Sequence, residues 1–485
     1  MSGSLWLTPP APAGATDTLP ALPRPRPSWA AADPIDELTH RLEEVIAAAV
    51  HPDEIAAILE SDGMTDDHIR LTYGRQDSFA LAEDLYARVE RRFPEPDGPP
   101  TGPWHTGLAG CLLRGLVFAL PGLAYVLGAP FLAGPPGRLG LPTGTVPLLA
   151  GAVTGWVWNQ ALSHRAYSWL GLGDRQAAAR TLLTGAPAGA LAGAVAAVAV
   201  TGPGEWGAAA FAAGQALYLA AATVLLVLGR EKALLGALLP LAAGAPAAFW
   251  FDLPLPLRTA LLLAPLLAAV ALALRAVVPG AAPGPPGRAA PRFAASLPYG
   301  LFGLGTGGLV LYAAVGDVLA EGPGAPVAAP SAVALTLSMG PAEWLLHRFR
   351  GESLAGLRAS TSARAFRRTT ATTLALCLGA YLTVLLLLAA AGTLLWPGAP
   401  ELCGLRLLTL LLIGTVLWAA LLLQSFGAVL SAALVCGAAT GVQSVTLATG
   451  AGDPALVGAG IAGAAAVVLA ALGWVLLGRA TAHRT

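Results

Sequence analysis

The chain has 485 residues, of which 55% are hydrophobic and only 12% are charged, and its mean hydropathy is +0.66. Apolar runs of about twenty residues, long enough to cross a bilayer core, recur after residue 104. This composition excludes an ordinary soluble protein and indicates an integral membrane protein. The formal net charge is zero, so nothing predicts a nucleic-acid partner.

The first fifth of the chain has a different composition from the rest. Residues 1–32 are rich in proline and alanine and predict a disordered tail, without the pattern of a signal peptide. Residues 33–93 predict a small helical domain, and residues 94–103 (PEPDGPPTGP) predict a linker. The first predicted helix starts at Asp33 and Pro34 and runs to about Val50.

The helical domain is strongly acidic. Residues 33–97 contain 17 acidic and 6 basic residues, a net charge of 6 − 17 = −11. A domain this small is close to the lower limit of independent stability, and docking to another surface would support it. A cytoplasmic protein partner of residues 33–97 is therefore one expectation.

Twelve apolar spans follow, and at this hydropathy and length only helices satisfy their backbone groups in lipid. We predict an all-α polytopic membrane protein with two parallel six-helix lobes, residues 104–278 and 296–480, joined by a Pro/Gly-rich linker at 279–295. The spans are 108–132, 141–162, 179–201, 206–228, 233–251, 257–278, 296–319, 327–346, 370–394, 404–424, 427–448 and 455–478.

Arginine crowds into every second loop between these spans. With the amino terminus inside, 17 basic residues fall in inside loops and span ends and 3 in outside ones. Positive charge concentrates on the cytoplasmic side of membrane proteins. The pattern predicts a protein of the inner (plasma) membrane with both termini in the cytoplasm.

The two halves share a short motif at the end of their second spans. Each has an amide or acid four residues before the histidine of a His-Arg pair, and a further arginine follows. The matches are Gln160 with Glu343, His164 with His347, Arg165 with Arg348 and Arg175 with Arg358, each 183 residues apart. A second match, GQALY and GTVLW, lies 200 residues apart in spans four and ten. The matches predict a tandem duplication with parallel copies, an architecture that commonly encloses a central cleft.

Polar residues at the span ends are the candidates for a substrate cleft or gate. The spacing of four places Gln160 beside His164, and Glu343 beside His347, on one helix face. Such a face can grip an anionic head group, and Glu343 is expected to pair with His347 or Arg348. The alternative is that these arginines anchor the helix ends on lipid phosphate. The cleft or gate candidates are Arg114, Gln160, His164, Arg165, Gln215, Glu343, His347 and Arg348.

The loop between spans eight and nine, LAGLRASTSARAFRRTT, mixes apolar residues with arginine and predicts an amphipathic segment on anionic lipid. Its lipid-surface candidates are Arg358, Arg364, Arg367 and Arg368. By contrast, Asp317 falls at an outer span end, where a solvated loop charge is expected.

No pattern predicts catalysis. The chain has no Walker loop, nucleophile elbow or metal-type cluster of histidine and acid, so we expect no enzyme, cofactor or metal. Its four cysteines (Cys111, Cys377, Cys403 and Cys436) lack metal or CxxC spacing and are expected to be small core residues.

Three features occur together in this chain: two parallel six-span lobes, charged inner ends on spans two and eight, and the tight junctions VLLVLGREKALLGALL and LLLQSFGAVLSAALV. In these features the chain resembles the multidrug, oligosaccharidyl-lipid and polysaccharide flippase superfamily. The resemblance covers about residues 104–478. It implies alternating access of a cleft that moves a lipid-linked saccharide, polysaccharide or amphiphile, with Arg114, Arg165 and Arg348 nearest to cationic cleft residues.

Three alternatives remain open. A major-facilitator transporter is also six plus six, and GLGDR at 171–175 approaches its loop signature with the wrong spacing. A membrane scaffold would use the acidic domain to recruit a cytoplasmic partner and transport nothing. A polytopic glycosyl- or acyltransferase would need paired acids or a histidine in an accessible cavity.

Overall fold

The computed structural model describes residues 33–90, 92, 107–137, 140–281, 292–322, 325, 327–360, 362–395, 400–402, 404–479 and 482, and the predicted tail and most of both predicted linkers lie outside them. Within these residues the regular structure is helical, apart from one isolated bridge between Pro136 and Pro142. The chain divides into two compact units, Met1–Pro100 and Thr101–Thr485, which are described separately below.

The amino-terminal unit contains five short helices: α1 (Pro34–Arg41), α2 (Glu43–Ala48), α3 (Pro52–Ser61), α4 (Asp66–Tyr73) and α5 (Ser78–Arg88). Side chains of Asp33, Thr65 and Asp77 accept hydrogen bonds from backbone amides in the first turns of α1, α4 and α5. Gly74, whose φ is +66°, ends α4 in a left-handed conformation that favours glycine.

The predicted single helix from Asp33 to about Val50 is wrong. The chain leaves helical geometry at Leu42, where φ is −103° and ψ is 10°, and α1 and α2 are separate helices. The break turns Val45, placed by periodicity on the apolar face, out to 41% exposure, whereas Ile46 is buried. Both helices still contribute to one apolar core, whose buried aliphatic side chains are Ile35, Leu38, Ile46, Ile55, Leu59, Ile69, Leu81 and Leu85.

Asp84 holds α5 to two neighbouring segments through arginine. Its carboxylate accepts from Arg75 at 2.6 Å and from Arg88 at 3.1 Å, and Arg88 also donates to Asp36 of α1 at 2.9 Å. Burial raises the pKa of the Asp84 carboxyl, but the hydrogen bonds and charges of Arg75 and Arg88 together outweigh burial and hold the pKa below 3.8.

Among its described residues the second unit contains fourteen α-helices. They are α6 (Leu108–Ala119), α7 (Ala124–Leu132), α8 (Thr145–Gly171), α9 (Arg175–Ala199), α10 (Trp206–Val227), α11 (Glu231–Trp250), α12 (Leu255–Val277), α13 (Leu297–Glu321), α14 (Ala329–Leu337), α15 (Met339–Ala359), α16 (Ala363–Leu395), α17 (Gly404–Ser425), α18 (Val429–Thr449) and α19 (Pro454–Leu477).

Nine helices among the described residues are long and apolar enough to cross a membrane, which is the signature of a multi-pass membrane protein. They are Leu108–Leu132, Arg175–Ala199, Trp206–Val227, Leu255–Ala281, Phe293–Glu321, Ala363–Leu395, Gly404–Ser425, Val429–Thr449 and Pro454–Leu477.

Three of the twelve predicted spans, 141–162, 233–251 and 327–346, are not among these nine. The first lies in α8, whose carboxyl-terminal half carries polar residues, and the third is divided between α14 and α15 at Ser338. The twelve-span count therefore stays a prediction.

Two large apolar cores lie in the described part of this unit, besides a small cluster of Trp169, Ala177 and Ala178. Residues of α6–α12 form one, and residues of α13–α19 form the other; we call these helix sets the first half and the second half. Several contacts between predicted spans recur in the two halves. When the six predicted spans are numbered within each half, spans 1 and 5, 2 and 3, 3 and 4, 4 and 6, and 5 and 6 pack against each other in both halves. This recurrence is what a duplicated chain would produce.

Asp84→Asn should destabilise the amino-terminal unit by about 1 kcal/mol at pH 7, because it leaves two arginines without their shared carboxylate. The loss should disappear as the pH falls below about 4, since a carboxyl with a lowered pKa stabilises the fold only while it is ionised. Urea-dependent proteolysis within residues 33–90 of the full chain measures the effect. Asp67→Asn, which removes an exposed pair with Arg70, is the matched control and should change little; an equal loss in both variants would contradict the account.

Candidate functional site: the contact between the two halves

The two halves meet through a reciprocal contact. In the first half, α6 packs against α14 and α15 of the second half. In the second half, α13 packs against α8 of the first half. The first predicted span of each half thus packs on the second predicted span of the other, as expected for two related units facing each other about an axis.

Glycine lets the helices approach closely at both places. A Cβ added to Gly115 of α6 would lie 2.8 Å from the backbone nitrogen of Gly340, and one added to Gly300 of α13 would lie 3.3 Å from the carbonyl oxygen of Val157. Gly340 follows Val157 by 183 residues, the offset of the sequence repeat. One partner of each close approach therefore matches at the repeat offset, while the other partners, Gly115 and Gly300, lie 185 residues apart.

Arg114 joins the halves at the first of these contacts. Its Nη1 donates to Oε1 of Glu343 on α15, and its Nη2 lies 3.2 Å from Oε1 of Glu231 at the start of α11. Nε2 of His347 lies 3.7 Å from the same Glu343 oxygen. We call Arg114, Glu231, Glu343 and His347 the charged contact.

The second contact, between α8 and α13, joins the corresponding spans of the two halves through a ring stack instead of an ion pair. The ring of His164 on α8 stacks on Tyr299 of α13, with centroids 3.8 Å apart and planes at 20°, and its Nδ1 lies 3.0 Å from the hydroxyl oxygen of Ser296. Gln160 packs against Gly303, where an added Cβ would lie 2.8 Å from its Cγ. We call Gln160, His164, Ser296 and Tyr299 the aromatic contact.

The repeated motif therefore lies at both contacts. His164 and His347 are the matched histidines, and Gln160 stands where the second half has Glu343. The guanidinium of Arg165 also reaches the second half, 5.7 Å from the ring centroid of Phe293. A role of these span ends in a substrate cleft or gate stays a prediction. The structure adds that each motif contacts the opposite half, which the sequence did not predict.

Two candidates, Arg348 and Gln215, and the outer-end acid Asp317 lie elsewhere. Arg348 donates to Glu352 at 2.7 Å on its own helix rather than pairing with Glu343, so that part of the pairing prediction is wrong. Gln215 donates to Tyr125 at 2.6 Å within the first half, away from the contact. Asp317, expected to be a solvated charge, pairs with Arg406 at 2.9 Å beside a cavity of about 100 Å³ in the second half.

Three of the four lipid-surface candidates occupy the first turns of α16. The side chains of Arg364, Arg367 and Arg368 are exposed, while Phe366 between them is buried. The side chain of Arg358 lies outside the described residues. This arrangement is that of an amphipathic helix start, with its cations turned away from the protein.

Glu231, Ser296 and Phe293 are the contact residues that sequence reasoning missed. One feature of the sequence could have identified Glu231 as a contact residue. It is an acid between Arg230 and Lys232 in a loop predicted to lie inside. Of the cysteines, Cys111, Cys377 and Cys436 are free and buried, and Cys403 lies outside the described residues.

Comparison of the chain with protein-family models, with curated proteins and with solved structures finds no match. The functional argument therefore depends on the contact itself.

Gly115→Ala should destabilise the membrane unit by about 1–3 kcal/mol, because its Cβ would meet backbone atoms of Gly340 that cannot rotate away. Gly110→Ala, on the same helix with open space around it, is the matched control and should be neutral or slightly stabilising. Thermal unfolding of the detergent-solubilised chain compares the two variants. Equal unfolding temperatures for both would contradict a tight α6–α15 contact.

Proposed function

We propose that this protein is a membrane transporter, a flippase or exporter of a lipid-linked saccharide, polysaccharide or amphiphile, that works by alternating access. The observation that carries the proposal is the reciprocal contact between the halves, locked by Arg114 and Glu343. Transporters built from two related lobes expose a central site alternately to the two sides by rocking one lobe against the other. An ion pair between the lobes at one end of the helices can form and break during such a movement.

The polar character of the lock supports a contact that opens. An apolar interface as close as that at Gly115 and Gly340 would favour one fixed arrangement, whereas charged side chains can exchange their partners for water. All four side chains of the charged contact keep 20–35% of their surface exposed. Water therefore has access to the groups that must separate.

In this proposal the candidate residues divide by role. Arg114, Glu343 and His347 close the inner end on one side of the axis, and Gln160, His164 and Arg165 close it on the other. Arg348 and Gln215 support their own halves. Both termini are cytoplasmic, as the arginine distribution predicts, and Arg364, Arg367 and Arg368 hold the start of α16 at anionic lipid.

A scaffold is the second candidate function, and one observation favours it. The amino-terminal unit folds around its own apolar core, yet it leaves Leu71 89% and Phe79 53% exposed on an acidic surface. Exposed apolar side chains of this size are available to contact a partner. Recruitment of a partner by this unit is compatible with transport by the helices.

Reconstituted vesicles test transport directly. The probe is a fluorescent polyprenyl-diphosphate saccharide placed in both leaflets, and bleaching by an impermeant reductant reports the fraction that reaches the outer leaflet. We expect the chain to accelerate exchange between leaflets, and Arg114→Ala to lower the rate at least about tenfold because the inner end no longer closes. Arg348→Ala, which breaks a pair within α15, is the matched control and should retain most of the rate.

The same label on phosphatidylcholine shows whether movement is selective. Absence of protein-dependent exchange for the saccharide probe would overturn the proposed substrate class. Equal loss in Arg114→Ala and Arg348→Ala would remove the special role of the charged contact.

A further inference from the structure

The cavity beside Asp317 lies at the end of the second half that is predicted to face outside. Its volume is about 100 Å³, and residues of α13, α14, α16, α17, α18 and α19 line it. On α13 the cavity residue Asp317 follows Tyr299 of the aromatic contact by 18 residues, a rise of about 27 Å along the helix. The cavity and the aromatic contact therefore lie at opposite ends of α13, and the cavity belongs to one half alone.

The lining of this cavity combines apolar surface with hydrogen-bonding groups. Tyr312 contributes an aromatic ring, and its hydroxyl oxygen lies 2.5 Å from that of Ser444. Small-molecule sites in proteins have this character, with apolar and aromatic walls and a few polar groups that orient the ligand. The apolar lining includes Pro330, Leu410 and Ile413, and the polar lining includes Asp317, Ser331, Thr393, Glu401, Arg406, Thr409 and Gln443.

The charges in the wall disfavour a simple ion. Nη2 of Arg406 lies 2.9 Å from Oδ2 of Asp317, and Glu401 adds an exposed carboxylate. An anion would meet two carboxylates, and a cation would meet the guanidinium. A ligand without net charge avoids both repulsions.

The ion pair retains hydrogen-bonding capacity on both partners. A guanidinium has five N–H donors, and a carboxylate has about four lone-pair sites. The side chains of Arg406 and Asp317 remain 39% and 32% exposed, so a ligand can reach them. Adjacent hydroxyl groups can donate to the carboxylate and accept from the guanidinium while the pair stays intact, whereas a zwitterion would have to separate the two charges.

We propose that this cavity binds a neutral sugar ring. Asp317 and Arg406 hydrogen-bond to its hydroxyl groups, and the ring of Tyr312 packs against its apolar C–H face. The choice of a sugar among neutral polyhydroxyl molecules rests on the proposed function, whose substrate class includes saccharides. The cavity would then hold the saccharide group at the end of the helices opposite the charged contact.

Gly316 provides a way to fill the cavity while leaving its surroundings in place. It lines the cavity on α13, and an added Cβ would meet no described atom within 4 Å. Gly316→Leu therefore carries an isobutyl group into open space, and leucine also favours helix more than glycine does. Gly379→Leu is the matched control, because Gly379 has equally open surroundings on an exposed part of α16 and does not line the cavity.

Saturation-transfer NMR of the full chain in lipid nanodiscs tests the site with free glucose, galactose and N-acetylglucosamine as probes. We expect transfer to the ring protons of at least one sugar, its loss in Gly316→Leu and its retention in Gly379→Leu. Asp317→Asn should weaken binding about tenfold, since hydrogen bonds to a charged group are stronger than those to a neutral one. Asp252→Asn, the same change at a predicted outer end of the first half, should leave binding unchanged.

Absence of transfer to all three sugars, or equal transfer in Gly316→Leu and Gly379→Leu, would overturn the sugar site. Transfer to choline or glycine betaine but to none of the sugars would assign the cavity to a charged ligand and also overturn it. Free sugars bind without a lipid tail or transport, so the two proposals fail separately. Vesicles without exchange would remove the proposed function alone, and exchange without sugar binding would remove the sugar site alone.

Discussion

The pairing of Arg114 with Glu343 is the interaction on which the contact between the halves depends. A carboxylate among apolar helices is costly unless a cation meets it, and a guanidinium offers separate donor nitrogens to more than one carboxylate. Because Arg114 lies on α6 and Glu343 on α15, satisfying the acid also fixes one half against the other. Gly115 and Gly340, one residue and three residues away in the sequence, remove the side chains that would hold the helices apart.

The second contact uses the same geometry without the charge. His164 stacks on Tyr299, and Gly300 approaches Val157 closely. These contacts pack α8 against α13, as α15 is packed against α6. Matched histidines at the two contacts are what the predicted tandem duplication would produce. Because Gln160 stands where the second half has Glu343, the repeated motif brings a carboxylate to the contact of α6 with α15 and an amide to that of α8 with α13.

Much of the local structure could be predicted from the sequence, because helix formation in lipid and the capping of short helices depend on nearby residues. Asp33, Thr65 and Gly74 act at the positions that their chemistry predicts. The pairing of Glu343 with Arg114 could not be predicted, because the two residues lie 229 positions apart and periodicity gives the face of a helix but not its neighbour. Sequence proximity offered His347 or Arg348 as the partner of Glu343. His347 does lie 3.7 Å from that acid, whereas Glu352, one turn further along α15 than Arg348, binds the arginine.

The central claim is that the charged contact opens and closes. Spin labels at the inner ends of α6 and α15, measured by pulsed electron resonance in nanodiscs, test it most directly. We predict two distance populations in the native chain and, after Arg114→Ala, a shift to the longer one. A single narrow distance that is unchanged by Arg114→Ala would show a fixed interface and contradict the account.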